Sequence, residues 1–226
     1  MSGLQSELLA VLEAPGTPEA DLRRRVLETL LAPPRPRQMT YEEFLAWADE
    51  DTLAEWVDGE VVMSTPASGQ HQDIDLFLAK VIDFYVEQRE LGKVRIPPFQ
   101  MKLANSGREP DLIFIAREHM DRLQPTYLDG PADLVVEIIS PESIGRDRGD
   151  KFYEYERASI PEYWMIDPLR ERAEFYQLNA QGYYDLIMPD AEGIYRSRVL
   201  PGFWLRIAWL WHPPRVMDVL RELNLI

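Results

Sequence analysis

The stretch Asp133-Leu134-Val135-Val136-Glu137-Ile138-Ile139-Ser140 decides how this chain reads. Apart from Glu137, its centre is a short apolar run rich in β-branched residues, the pattern of a strand covered on both faces. An ionised carboxylate in such a strand is very costly unless a cation or a hydrogen-bond donor meets it. A second acid opens a similar run upstream, Glu109-Pro110-Asp111-Leu112-Ile113-Phe114-Ile115. Two readings follow. Both acids can share a hard divalent cation, or one can end a strand while the other pairs with an arginine or lysine.

The residues downstream bear on that choice. After Ser140-Pro141-Glu142-Ser143, a loop with Gly145 and Gly149 leads into Asp150-Lys151-Phe152-Tyr153-Glu154-Tyr155-Glu156-Arg157, a predicted helix that ends before Ile160-Pro161. Lys151 and Tyr155 lie four apart on one face, with Asp147 a turn earlier if the helix reaches back. Glu162-Tyr163-Trp164-Met165-Ile166-Asp167-Pro168 then reads as a strand closed by a turn. A strand, crossover helix and strand can be neighbours in one sheet, which would set Lys151 over the strand carrying Glu137.

Other elements fall around this unit. Asp58-Gly59 is a hairpin turn between Glu55-Trp56-Val57 and Glu60-Val61-Val62-Met63. The longest predicted helix carries Ile74, Phe77, Leu78, Val81, Ile82 and Tyr85 as one apolar stripe. Val94-Arg95-Ile96 and Phe99 to Leu103 are strand pieces separated by Pro97-Pro98, and Ala173 to Leu178 with Tyr183 to Ile187 form a further hairpin. Val199-Leu200 and Phe203-Trp204-Leu205 continue a β-rich end, where the aromatic run to Trp211 reads as core or subunit interface, and Met217 to Leu225 as a closing helix. Thr40 caps a helix from Tyr41 to about Asp49. Ahead of it, Thr17-Pro18 starts a helix with Leu22, Val26, Leu27, Leu30 and Leu31 on one stripe, ended by the stiff connector Pro33-Pro34-Arg35-Pro36.

Glu109-Pro110-Asp111, Val135-Val136-Glu137-Ile138-Ile139-Ser140-Pro141, Asp147, Lys151, Tyr155 and Glu162-Tyr163-Trp164 occur in an order that resembles the Uma-type restriction endonucleases of the PD-(D/E)XK nuclease superfamily. Glu55 to Val62 followed by His71 is similar to that family's opening hairpin and helix, and the resemblance runs from about Met39 to Trp211. It implies an α/β fold, a restriction-endonuclease-like mixed central sheet flanked by helices. It also implies Mg²⁺ as cofactor, with Mn²⁺ as substitute, held by Asp111, Glu137 and the backbone carbonyl of Ile138. The superfamily places a lysine two residues after the second acid, where this chain has Ile139. In the Uma branch a lysine of the following helix takes over, and Lys151 matches it. Glu60 matches an acidic position after the turn and is expected as an additional catalytic carboxylate. The implied reaction is phosphodiester hydrolysis of nucleic acid, DNA first among substrates.

Composition bounds these implications. The 226 residues suit one domain of moderate size with appendages: residues 1–37 a helical extension and connector, 38–211 the nuclease-like domain, and 212–226 a helical tail. The absence of cysteine excludes disulfides, thiolate metal sites and cysteine nucleophiles. His119 and His212 lack ligand-spaced partners, so a histidine zinc site is not expected. The apolar runs are too short to span a bilayer and the amino terminus lacks a secretory pattern, giving the expectation of a cytoplasmic protein without membrane contact. The net charge of −15 opposes broad nucleic-acid binding, and a local patch of Arg146, Arg148, Lys151 and Arg157 would be needed to offset it. That charge favours the alternative of a non-catalytic interaction or regulatory protein on a nuclease scaffold. The apolar extension and the aromatic end together predict a homodimer.

Overall fold

The stretch around Glu137 forms the middle of the main sheet in the computed structural model, which describes residues 39–49, 52–140 and 145–226. The amino-terminal helix and proline connector expected over residues 1–37 lie outside the described residues. Strand β8 (Leu134–Ile138) has β6 (Leu112–Ala116) antiparallel on one side and β9 (Glu162–Asp167) parallel on the other. Antiparallel β10 (Arg172–Leu178) and β11 (Tyr184–Ile187) extend the sheet beyond β9, and β3 (Gly92–Arg95) closes the other edge, giving six strands. The connection from β8 to β9 passes through α3 (Lys151–Arg157), so the strand, helix and strand of the sequence reading are neighbours. A π-helical turn, Arg146–Asp150, precedes α3; the face expected of Asp147 lies outside what is described.

Alternation along these strands divides the core. Leu112, Phe114, Leu134, Val136 and Ile138 pack under α2 (Gly69–Gln88), whose stripe from Ile74 to Tyr85 is buried as its period predicts. The alternate residues Ile113, Ile115 and Val135 face a second cluster with Tyr155, Ile160 and Tyr163. Glu137 is in phase with Val135, and Asp111 with Ile113 and Ile115. Glu137 therefore belongs to the α3 side of the sheet, whereas Asp111, just ahead of β6, meets His71 of α2.

A second sheet of five strands runs in the order β2-β1-β5-β4-β7, where the sequence reading had one central sheet. Its hairpin is β1 (Ala54–Val57) and β2 (Glu60–Met63), turned by Asp58 at φ 48° and Gly59 at φ 89°. Both turn residues are left-handed, as a two-residue hairpin requires. Strands β4 (Gln100–Lys102), β5 (Ser106–Arg108) and β7 (Tyr127–Asp129) complete it. Gly107 has no room for a side chain, since a Cβ there would stand 2.3 Å from the Tyr41 ring. Helix α1 (Tyr41–Trp47) carries the expected Thr40 cap as a full capping box with Glu43.

The aromatic end is mostly interior, with Phe203 and Trp209 buried and Trp204 and Trp211 half-buried against the same core. Strands β12 (Ile194–Arg196) and β13 (Trp204–Arg206) form a hairpin, and Trp209 to Trp211 belong to a helical turn, α4 (Ala208–Trp211), not to the alternating strand expected. Phe203, Trp209 and Leu210 are buried with Val219, Leu220 and Leu223 of and beside α5 (Val216–Glu222), in the same core as α2. Among the described residues no helix is long and apolar enough to cross a membrane.

Candidate functional site

Glu137 is 4% exposed, and its Oε1 accepts from Lys151 Nζ at 2.9 Å and from the Tyr155 hydroxyl at 2.7 Å. Both donors come from the inner face of α3, one turn apart. A carboxylate so placed needs such donors, because burial would otherwise favour its neutral form. Asp111, one residue before β6, accepts from the Ile138 amide at 2.6 Å and meets His71 Nε2 at 3.2 Å. Asp111 at a strand end and Glu137 beside a lysine satisfy the simpler of the two sequence readings. The same placement puts the acids on adjoining strands, at one end of the sheet.

Lys151 meets another carboxylate, Glu55 of β1, with Nζ 3.0 Å from Glu55 Oε1. Arg108 of β5 donates to Glu55 Oε2 at 3.1 Å and, through Nε, to Glu154 Oε2 at 2.8 Å. The Ser106 hydroxyl donates to Glu154, and the Glu109 amide to Glu55 at 3.3 Å. The result is a buried chain of alternating charge: Glu137, Lys151, Glu55, Arg108, Glu154. Burial would raise the Glu55 carboxyl, but Lys151 and Arg108 outweigh it and hold it below its ordinary range. Burial pushes the Tyr155 hydroxyl far up, reinforced by the Glu137 charge, so it remains a proton donor to that carboxylate.

Glu55 and Arg108 were not assigned to the site from sequence. The hairpin register places Glu55, Val57, Glu60 and Val62 on one face, with Glu60 toward the turn. Glu60, the acid expected there, is exposed and borders a separate groove of about 1210 Å³ with Val57, Lys102, Arg108 and Arg157. Neither Asp111, Glu137 nor Lys151 lines that groove. The expected basic patch is also changed: Lys151 is inside the charge chain, and Arg148 pairs with Glu174 at 2.6 Å. Arg146 lies outside the described side chains.

On the other side of Asp111, helix α2 contributes His71 and Asp75. Burial alone would lower the imidazole's proton affinity; the hydrogen bond to Asp111 and the charges of Asp111 and Asp75 raise it overall. His71 Nδ1 and Asp75 Oδ1 are buried without a hydrogen-bond partner among the described residues. Burial, with the Asp111 charge behind it, pushes the Asp75 carboxyl up to about 6. Glu109 is pushed up to about 7 by burial and then by the Glu55 charge. These folded carboxyls hold protons that the unfolded chain releases near its ordinary values, so stability falls as pH rises from about 4 to about 7. Asp75→Asn should therefore raise the melting temperature by a few degrees at pH 8 in chelator, with the gain gone at pH 4. An equal gain at both pH values would remove Asp75 as the titrating group.

A hard cation suits the oxygen donors of Asp111, Glu137 and the Ile138 carbonyl, since Mg²⁺ is held by one or two carboxylates and keeps several waters. Among the described residues no three His, Cys, Asp or Glu side chains converge as a ready ligand set. The unpartnered Asp75 Oδ1, facing the Asp111 region, is the acceptor an ion or its water would satisfy.

A mixed sheet flanked by α2 and α3, with two acids and a lysine at one end, defines a nuclease-like α/β protein. The Uma2 family model, described as "Putative restriction endonuclease", matches residues 41–208, and the chain belongs to that family. Among solved structures, the chain is similar to a protein from Anabaena variabilis described as a "putative nuclease belonging to DUF820". The TM-score is 0.66 at 16% identity, covering 77% of this chain and 98% of the other. At that identity the likeness is one of fold. No curated protein matches the chain.

Proposed function

We propose that this chain is a Mg²⁺-dependent endonuclease that hydrolyses phosphodiester bonds of nucleic acid, with DNA as the first substrate class. The observation carrying this reading is the buried Lys151 ammonium 2.9 Å from Glu137, beside a strand whose Asp111 is fixed by the Ile138 amide. Asp111, Glu137 and the Ile138 carbonyl would hold the ion. When bound, Mg²⁺ lowers the pKa of its water and takes up negative charge as a Lewis acid. Tyr155 orients Glu137 by donating to it, and His71 orients Asp111 from the other side. Lys151, beside Glu137, would offer its ammonium to the attacking water or the charged phosphate, an electrostatic role that needs no proton transfer. Glu60, exposed on the groove that Arg108 and Glu154 also line, is kept as an additional carboxylate outside the ion's ligands.

The reading is tested by a cleavage screen over single-stranded, duplex and structured DNA and RNA with Mn²⁺ present. Cleavage abolished by Asp111→Asn is expected. No cleavage, together with no Mn²⁺ binding by calorimetry, would favour the non-catalytic interaction protein that the −15 charge suggests.

We also propose that the chain works as a cytoplasmic homodimer, so that two sites address two strands. Most of the aromatic end is interior, with Trp204 and Trp211 half-buried, so it offers little surface for this. Exposed Tyr183 and Leu186 at edge strand β11 supply apolar surface in its place. Sedimentation should give twice 26.3 kDa, and a monomer mass unchanged on concentration would defeat the dimer.

A further inference from the structure

We propose that Glu55 is the positioning residue for Lys151, holding the ammonium in place when Glu137 turns to the metal; this rests on the proposed metal site. The geometry is the argument. Lys151 Nζ lies between two buried carboxylates, 2.9 Å from Glu137 and 3.0 Å from Glu55. Glu55 is itself fixed from behind by Arg108 and by the Glu109 amide, and Arg108 is anchored on Glu154. Glu55 therefore cannot follow the lysine if it moves; the lysine stays with Glu55.

A cation drawn to Glu137 Oε1 competes with Lys151 and Tyr155 for the same oxygen. Loosening the lysine from Glu137 would leave its buried charge with one carboxylate fewer, which is strongly unfavourable without a second acid nearby. Glu55 supplies that acid. It makes Glu137 available to the metal while keeping the ammonium paired and within reach of the same site. Glu60 cannot substitute, being exposed nearer the turn on the same face.

The distinction from a direct ligand is testable through binding alone. Mn²⁺ affinity is measured by calorimetry on the full chain for the parent, Glu55→Gln, Lys151→Met and the double variant, with Glu137→Gln as the site control. Removing an outer partner of this kind should weaken Mn²⁺ binding by roughly tenfold in Glu55→Gln. In the Lys151→Met background the same substitution should change affinity less than about twofold, because the group it positions is gone. Equal weakening in both backgrounds would make Glu55 a ligand and overturn the proposal, as would no weakening in either. If Glu55→Gln does not fold by circular dichroism, Glu55→Asp takes its place, with the same Lys151-dependent weakening expected and the same overturning results. Mn²⁺ affinity indifferent to Glu137→Gln would instead remove the metal site, and this inference with it.

Discussion

Glu162→Gln should lower the melting temperature by roughly 10 °C, corresponding to about 3–5 kcal/mol in a domain of this size. Glu162 opens β9 and is completely buried. Its Oε1 accepts from Trp164 Nε1 at 2.7 Å and the Tyr195 hydroxyl at 2.8 Å. Its Oε2 accepts from the Arg198 amide at 2.8 Å, and from the Val199 amide and Ser197 hydroxyl at 3.2 Å. One side chain thus ties the β12–β13 hairpin to the main sheet. A glutamine turns one acceptor into a donor facing donors, leaving buried N–H or O–H groups unmet. Ser197→Ala removes one of the donors to Glu162 and the acceptor of the buried Leu200 amide, and should cost less, about 1–3 kcal/mol. A lost buried network costs ~3 kcal/mol or more, so a Glu162→Gln variant melting within about 2 °C of the parent would disprove the clasp.

Glu137→Gln should abolish both cleavage and the stabilisation conferred by Mn²⁺. An ion that binds only the folded site at a hundred times its dissociation constant stabilises by about 2.7 kcal/mol, a rise of roughly 5–10 °C for the parent. The amide retains an oxygen for Lys151 and Tyr155, so the variant should fold, but it brings no charge to the ion. Cleavage should fall by about a hundredfold or more with loss of that electrostatic contribution. Thermal melts with Mn²⁺ and with chelator, run beside the cleavage assay, check both effects. An identical Mn²⁺ response in parent and variant would show that the ion binds elsewhere.

Much of this architecture is readable in the chain because it is periodic. The α2 stripe, the Asp58-Gly59 turn, the Thr40 cap and the β8–α3–β9 unit follow from spacing and local backbone preference, which act over a few residues. The same unit carries Glu137, Lys151 and Tyr155, so that part of the site was visible as well. Strand β5 was not, because Ser106-Gly107-Arg108 has no apolar alternation and becomes a strand through pairing with β1 and β4. Arg108 was missed with it. The division into two sheets, and the helical turn at Trp209, likewise depend on partners distant in the sequence.

What the sequence by itself determined is the apolar strands around Glu137, the long helix, the first hairpin and the two acids that demanded partners. Which carboxylate meets Lys151 was decided only by tertiary structure. Glu55 and Glu60 share a hairpin face, and nothing local separates them. The pairing of β1 with β5 brings Arg108 against Glu55, and the crossover brings Lys151 to the same point. Buried charges are stable only in mutual contact, so long-range packing selects Glu55 and leaves Glu60 exposed on the groove.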